Sequence, residues 1–208
     1  MPDFSLEATL PAPVAGVDEA GRGPLAGPVF AAAVVLDPAR APAALLASLD
    51  DSKKLAPSRR AALDAALRRS AGVRFAVAEA DVGEIDRLNI LQATMLAMRR
   101  ALEALDPPPA GVLVDGNRVP RDLAWPARAA IGGDGRSLSI AAASILAKVA
   151  RDARMATLAR AFPGYGWETN QGYGSAAHLD ALRRLGPTPH HRASFAPVAD
   201  ALNGIGRE

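Results

Sequence analysis

Three apolar runs in this 208-residue chain each stop against an acidic residue and a glycine turn. The junctions are Asp18-Glu19-Ala20-Gly21, Asp115-Gly116-Asn117 and, after a weaker run, Gly132-Gly133-Asp134. Val14–Val17 and Val29–Leu36 are bounded by Gly and Pro, as strands are. Val73–Ala80 alternates with period two, placing Val73, Phe75 and Val77 on one face. Val112–Val114 and Ala127–Ile131 read as two further short strands.

Helical spacing fills the gaps. Leu63 and Leu67 mark a helix over Ala56–Arg69. Asp81 and Glu84 form a capping-box pattern that opens a helix predicted to run to about Leu105. Its apolar stripe is Ile85, Leu88, Leu91, Met95, Met98 and Leu102. An Ala-rich helix follows from Ser137 to about Phe162, with further helices over Ala176–Leu185 and Val198–Leu202. This order predicts an α/β fold in one domain spanning 1–208, with a core over about 14–162 and a helical part over about 163–208.

The three acidic junctions constrain the chemistry. Ligand sites in α/β sheets gather at strand ends. Two carboxylates about 5 Å apart repel by about 3 kcal/mol at an effective dielectric of about 20. A cluster therefore stays partly protonated or holds a divalent cation. With no Cys and three His, oxygen ligands for Mg²⁺ or Mn²⁺ fit better than a zinc site. Taken singly, Asp115-Gly116-Asn117 and Asp134-Gly135 read equally as turns.

The lack of Cys also excludes disulfides and thiol nucleophiles. No apolar stretch reaches the ~20 residues of a membrane span, and the opening residues lack a basic leader pattern, so a cytoplasmic location is expected. Net charge is only +2. Yet the segment 136–194 holds eight basic and three acidic residues, a surplus suited to a polyanion. Gly21-Arg22-Gly23-Pro24-Leu25-Ala26-Gly27 fails both the dinucleotide and the P-loop patterns. What remains is a loop that lets a ligand approach the backbone closely.

The ordered motifs resemble type 2 ribonucleases H, with ribonuclease HII the nearest member. They are Asp18-Glu19-Ala20-Gly21-Arg22-Gly23, Asp51-Ser52-Lys53-Lys54-Leu55, Val114-Asp115-Gly116-Asn117, Gly133-Asp134, the run Ser139–Asp152, Gly172-Tyr173-Gly174 and His191-Arg192-Ala193-Ser194-Phe195. The resemblance covers about Val14 to Phe195. It implies a ribonuclease H-like fold, a mixed five-stranded sheet flanked by helices plus a helical C-terminal extension. It also implies a monomeric endonuclease that cuts the RNA strand of RNA–DNA hybrids and nicks 5′ of single ribonucleotides in duplex DNA.

By that resemblance Asp18, Glu19, Asp115 and Asp134 are the catalytic acids and the ligands of two divalent ions, Mg²⁺ or Mn²⁺. Gly21, Arg22 and Gly23 form the loop whose main chain reads the 2′-hydroxyl, and Tyr173 packs on the deoxyribose side of an RNA–DNA junction. Ser137, Ser144, Lys148 and Arg151 share one polar helix face, where Ser144 and Lys148 become phosphate contacts, as does Lys53. His191-Arg192 takes a structural or backbone-contact role, and His178 is expected on the surface of a C-terminal helix. Gln171 and Gly133 depart from the Lys common in the family at those positions. No aromatic clamp-binding peptide stands in Leu202–Glu208. Two rivals stay open on sequence: a DNA-cutting nuclease of the same fold, and a silent hybrid-binding module.

Overall fold

A computed structural model describes residues 1–205; the last three residues of the Leu202–Glu208 segment lie outside the described residues. Five strands, β1 (Val14–Ala20), β2 (Val29–Leu36), β3 (Val73–Ala80), β4 (Gly111–Asp115) and β5 (Ala127–Ala130), form one sheet in the order β3-β2-β1-β4-β5. β3, β2 and β1 are antiparallel neighbours, whereas β1, β4 and β5 run parallel. The helices are α1 (Ala43–Leu46), α2 (Pro57–Arg69), α3 (Val82–Leu88), α4 (Ile90–Glu103), α5 (Leu138–Ala161), α6 (Trp167–Asn170), α7 (Ala176–Leu185) and α8 (Ala196–Ile205).

The sequence of β2, Val-Phe-Ala-Ala-Ala-Val-Val-Leu, explains the layering. Successive side chains alternate between faces, and every residue of this strand is buried. Val29, Ala31, Ala33 and Val35 pack with Ala93, Ala97, Met98 and Leu102 of α4. Ala32, Val34 and Leu36 pack with Ala142, Ile145 and Leu146 of α5 and with Leu63 and Leu67 of α2. The alanines let helices approach both faces closely. Gly16 takes this further on β1: a Cβ there would lie 2.3 Å from the Ile140 backbone nitrogen, so α5 abuts the strand directly.

Two expectations are corrected here. The single helix over 81–105 is two, broken at Asn89, whose φ of 69° interrupts the helical path. The Asn89 side chain accepts from the Leu91 and Gln92 N–H groups and so caps α4. The expected capping box at Asp81 and Glu84 is present on α3. His178 is the second correction. It is fully buried against Trp167 and His191, not on the surface.

That buried trio has only one consistent proton pattern. His178 Nδ1 lies 2.8 Å from the Tyr173 carbonyl, so this nitrogen carries the proton. Its Nε2 accepts from Trp167 Nε1 at 3.0 Å and from His191 Nε2 at 3.1 Å. His191 Nδ1 then accepts from the Thr188 N–H at 2.9 Å. Burial, and secondarily the His178 charge, pulls His191 down to about 4, and burial lowers His178 as well. Both rings stay neutral in the fold, while the unfolded chain takes up protons near pH 6.5. This contribution is therefore intact above pH 6.5 and is lost as pH falls toward 4, by about 3 kcal/mol for His191. Urea unfolding across that window is expected to show a larger acid loss in the native chain than in His191→Gln, which keeps only the His178 contribution of the pair. Parallel behaviour of the two chains would refute the neutral-imidazole assignment.

Candidate active site

Period-two alternation sends Asp18 toward the α5 side of β1 and Glu19 toward the α4 side. The strand runs past the apolar residues Val14–Val17: β1 continues to Ala20, and Asp18 and Glu19 pair with Ala32 and Ala31 of β2. Their backbone is thus fixed by the ladder, not left to a loop. Asp115 is the last residue of β4, next to β1 in the parallel half. Asp134 sits in a one-turn 3₁₀ segment, Gly133–Gly135, between β5 and α5. Ser137, the N-cap of α5, follows it, fully buried, with its hydroxyl on Glu7 at 2.7 Å.

Asp18, Asp115 and Asp134 each offer a carboxylate oxygen, all within 4.8 Å of one another. Asp18 and Asp134 are buried. Asp18 accepts from the Glu19 N–H at 2.7 Å, and Asp115 accepts from the Gly133 N–H at 2.7 Å. Glu19 lies outside this triad but lines the same cleft, its carboxylate 3.3 Å from the Arg22 guanidinium. Burial, then the neighbouring Glu19 and Asp115 charges, holds Asp18 well above the ordinary carboxylate range. Burial also raises Glu19, against the Arg22 charge. Burial and Asp115 raise Asp134, with Lys53 opposing from 3.5 Å.

The donor set fits divalent metal. Three carboxylates with oxygens within 4.8 Å of one another, two of them buried, resist joint ionisation until a cation joins them. All the donors are hard oxygen, which suits Mg²⁺ or Mn²⁺.

The cleft, about 460 Å³, also includes Gly21, Arg22, Gly23, Ser52, Lys53, Lys148, Arg151 and Tyr173. Tyr173 is half exposed, with its ring over Gly23. Lys148 reaches the cleft while paired with Asp152 at 2.6 Å. Ser144 does not behave as expected. It is buried, accepting from the Ser52 N–H at 3.3 Å and donating to the Ala141 carbonyl at 2.9 Å, so it fastens the Lys53 loop and leaves no face for a phosphate. The polar face drawn through Ser137, Ser144, Lys148 and Arg151 is accordingly not solvated: three of its four members are buried.

Two arginines carry more than their sequence context signals. Arg192 is fully buried and donates to the carbonyls of Gly21 (2.6 Å), Arg22 (2.9 Å), Gly27 (2.8 and 2.9 Å) and Pro28 (3.4 Å). Arg151 donates to the carbonyls of Ala26 (3.3 Å) and Gln171 (3.0 Å). Burial, then the Arg151 charge, lowers Arg192 to about 9, still cationic at neutral pH. Together they gather the loop's carbonyls on its rear. At Gly21, with φ of +99°, a Cβ would lie 2.0 Å from Arg151 Nε, so only glycine fits over this clamp. The His178 bond to the Tyr173 carbonyl and the Leu25 N–H bond to the Gly172 carbonyl tie the tyrosine turn to the same frame.

Comparisons with known proteins agree with this geometry. The family model described as Ribonuclease HII matches residues 15–198. The Ribonuclease HII of Rhodospirillum rubrum is 66% identical over 202 residues, 97% of this chain and 92% of that one. The crystal structure of ribonuclease H2 from Pyrococcus horikoshii OT3 superposes with a TM-score of 0.77 at 26% identity, covering 94% of this chain and 99% of that one. That of Bst-RNase HIII in complex with Mn²⁺ reaches 0.71 at 21% identity, covering 94% and 70%, and supports the fold. With a match along nearly its whole length and the acids of the motif drawn together, the chain belongs to the ribonuclease HII family of endoribonucleases.

Proposed function

We propose that this chain hydrolyses the RNA strand of RNA–DNA hybrids and nicks 5′ of single ribonucleotides in duplex DNA, leaving 5′-phosphate and 3′-hydroxyl ends. The observation that carries this reading is a carboxylate triad within 4.8 Å, two members of which, Asp18 and Asp115, line one cleft together with Glu19, the glycine loop and Tyr173. Asp18, Glu19, Asp115 and Asp134 would hold two divalent ions, which supply an activated water and neutralise the leaving oxygen. A Mn²⁺-bound relative of this fold supports the choice of ion.

The chain's own groups do the rest. Arg192 and Arg151 occupy the rear carbonyls of the loop, which frees the N–H groups of 21–23 for the front. A 2′-hydroxyl is both donor and acceptor and is the only group that separates ribose from deoxyribose at a given position. A backbone surface without bulky side chains reads it directly. The Tyr173 ring, held above Gly23, offers an apolar face to a sugar that lacks that hydroxyl. Lys53, exposed at the cleft edge, and Lys148 supply positive charge for flanking phosphates, which position a duplex without reading sequence.

The test is a DNA duplex bearing one ribonucleotide, assayed against the same duplex with deoxyribose throughout. The expected result is one nick on the 5′ side of the ribonucleotide, abolished by chelator and restored by Mg²⁺ or Mn²⁺. Equal cutting of the all-DNA duplex would favour the DNA nuclease rival. Binding without cleavage in either metal would favour the silent module.

A further inference from the structure

The cleft does not end at the acids. On the α4 side it continues past Glu19 and Asp115 over Asn117 and Arg118. From there it opens into a furrow of about 250 Å³ between α4 and the segment 118–121. Arg118 lines both stretches. Arg99 and Arg121 stand along the furrow beyond it, over an apolar floor that includes Leu91, Met95 and Val119. No carboxylate lines this outer stretch, and no aromatic ring does.

Isolated exposed arginines are ordinary. These three differ in being aligned along one depression that leads out of the acidic centre. Arg118 and Arg121 are exposed and, among the described residues, neither makes an ion pair. Arg99 is held only loosely, 3.7 Å from Glu103. A guanidinium matches a phosphate with two parallel donors. The absence of rings removes base stacking as the furrow's purpose. What remains is recognition of a phosphodiester backbone, indifferent to sequence.

We infer that Arg118 and Arg121, with Arg99 behind them, form a phosphate track that carries the duplex backbone away from the cutting centre along the α4 side of the cleft. This inference rests on the hybrid-cleaving reading above. Each phosphate contact on a duplex contributes about 0.9 to the slope of log affinity against log salt.

The experiment measures binding of the full chain, in chelator, to a fluorescent RNA–DNA hybrid across salt. Arg118→Gln/Arg121→Gln is compared with the native chain and with Arg183→Gln/Arg184→Gln, which removes the same charge from α7. The furrow variant is expected to lose about two from the slope, so its deficit against the native chain shrinks about tenfold between about 50 and about 200 mM salt. Arg118→Lys/Arg121→Lys is expected to keep most of the slope, and the α7 variant all of it. An unchanged slope in the furrow variant, or an equal loss in the α7 variant, overturns the track while leaving the hybrid reading standing. A native chain that fails to bind the hybrid at all overturns both.

Discussion

Asp18→Asn is expected to abolish cleavage and, at the same time, to make the metal-free protein more stable. Asp18 is buried, lies within 4.8 Å of both other triad acids, and is held above its ordinary range by that burial and by its charged neighbours. At 4.8 Å and an effective dielectric of about 20, each ionised pair repels by about 3 kcal/mol. Partial protonation already relieves some of this, so removing the charge is expected to return about 1 to 3 kcal/mol. In a chain of this size that raises the melting temperature by several degrees. Turnover moves the other way. Metal held by these acids would lower the barrier by several kcal/mol, so its loss is expected to cost about 10³-fold or more in rate. Thermal melts in chelator and in Mn²⁺ separate the two effects. Excess metal is expected to raise the melting point of the native chain, by about 2.7 kcal/mol of stability at a hundredfold over Kd, and to leave the variant nearly unmoved. A variant that is still stabilised by Mn²⁺ and still turns over would refute the assigned ligand set.

Arg192→Met is expected to be strongly destabilising. The guanidinium serves four carbonyls, and an apolar replacement leaves those of Gly27 and Pro28 buried and unpaired and those of Gly21 and Arg22 without their protein partner. A loss of about 3 to 5 kcal/mol follows, a fall in melting temperature of roughly 10 °C. Arg192→Lys keeps the charge but not the fork, and is the better probe of function. Its loop is expected to relax, raising the Michaelis constant for a single-ribonucleotide duplex at least tenfold. Mn²⁺ affinity by calorimetry is expected to stay near the native value, because the triad is anchored on β1, β4 and the turn before α5. An unaltered Michaelis constant in a folded Lys variant would remove Arg192 from the reading of ribose.

Much of this was legible in the sequence because it depends on local pattern. Strand alternation placed Val73, Phe75 and Val77 on one face, and all three pack with the α5 and α2 cluster. The acids were visible because a carboxylate at the end of an apolar run is rare enough to notice. Asn89 escaped because the apolar stripe runs through the break: Ile85 and Met98 fall in the same cluster although the helix axis has shifted between them. Ser144 and Arg151 were misplaced because helical spacing assigns residues to a face without saying what covers it, and here the Ser52 loop and the glycine loop do. A structural role was expected for His191-Arg192, but the carbonyls that Arg192 binds, like the burial of His178, lie beyond any spacing rule. Arginine that binds main-chain carbonyls has no acidic partner to betray it, and its targets stand up to 171 positions away.

That separation has a consequence for the order in which the molecule comes into being. On a ribosome, the three acids of the triad are all synthesised by Asp134, and the parallel pairing of β1 with β4 can close soon afterwards. The strap that holds the carbonyls of the glycine loop arrives only with residue 192. A growing polypeptide therefore passes through a stretch in which its acids can already gather while the loop beside them still lacks its fastening, and that loop is secured only when residue 192 comes back to it.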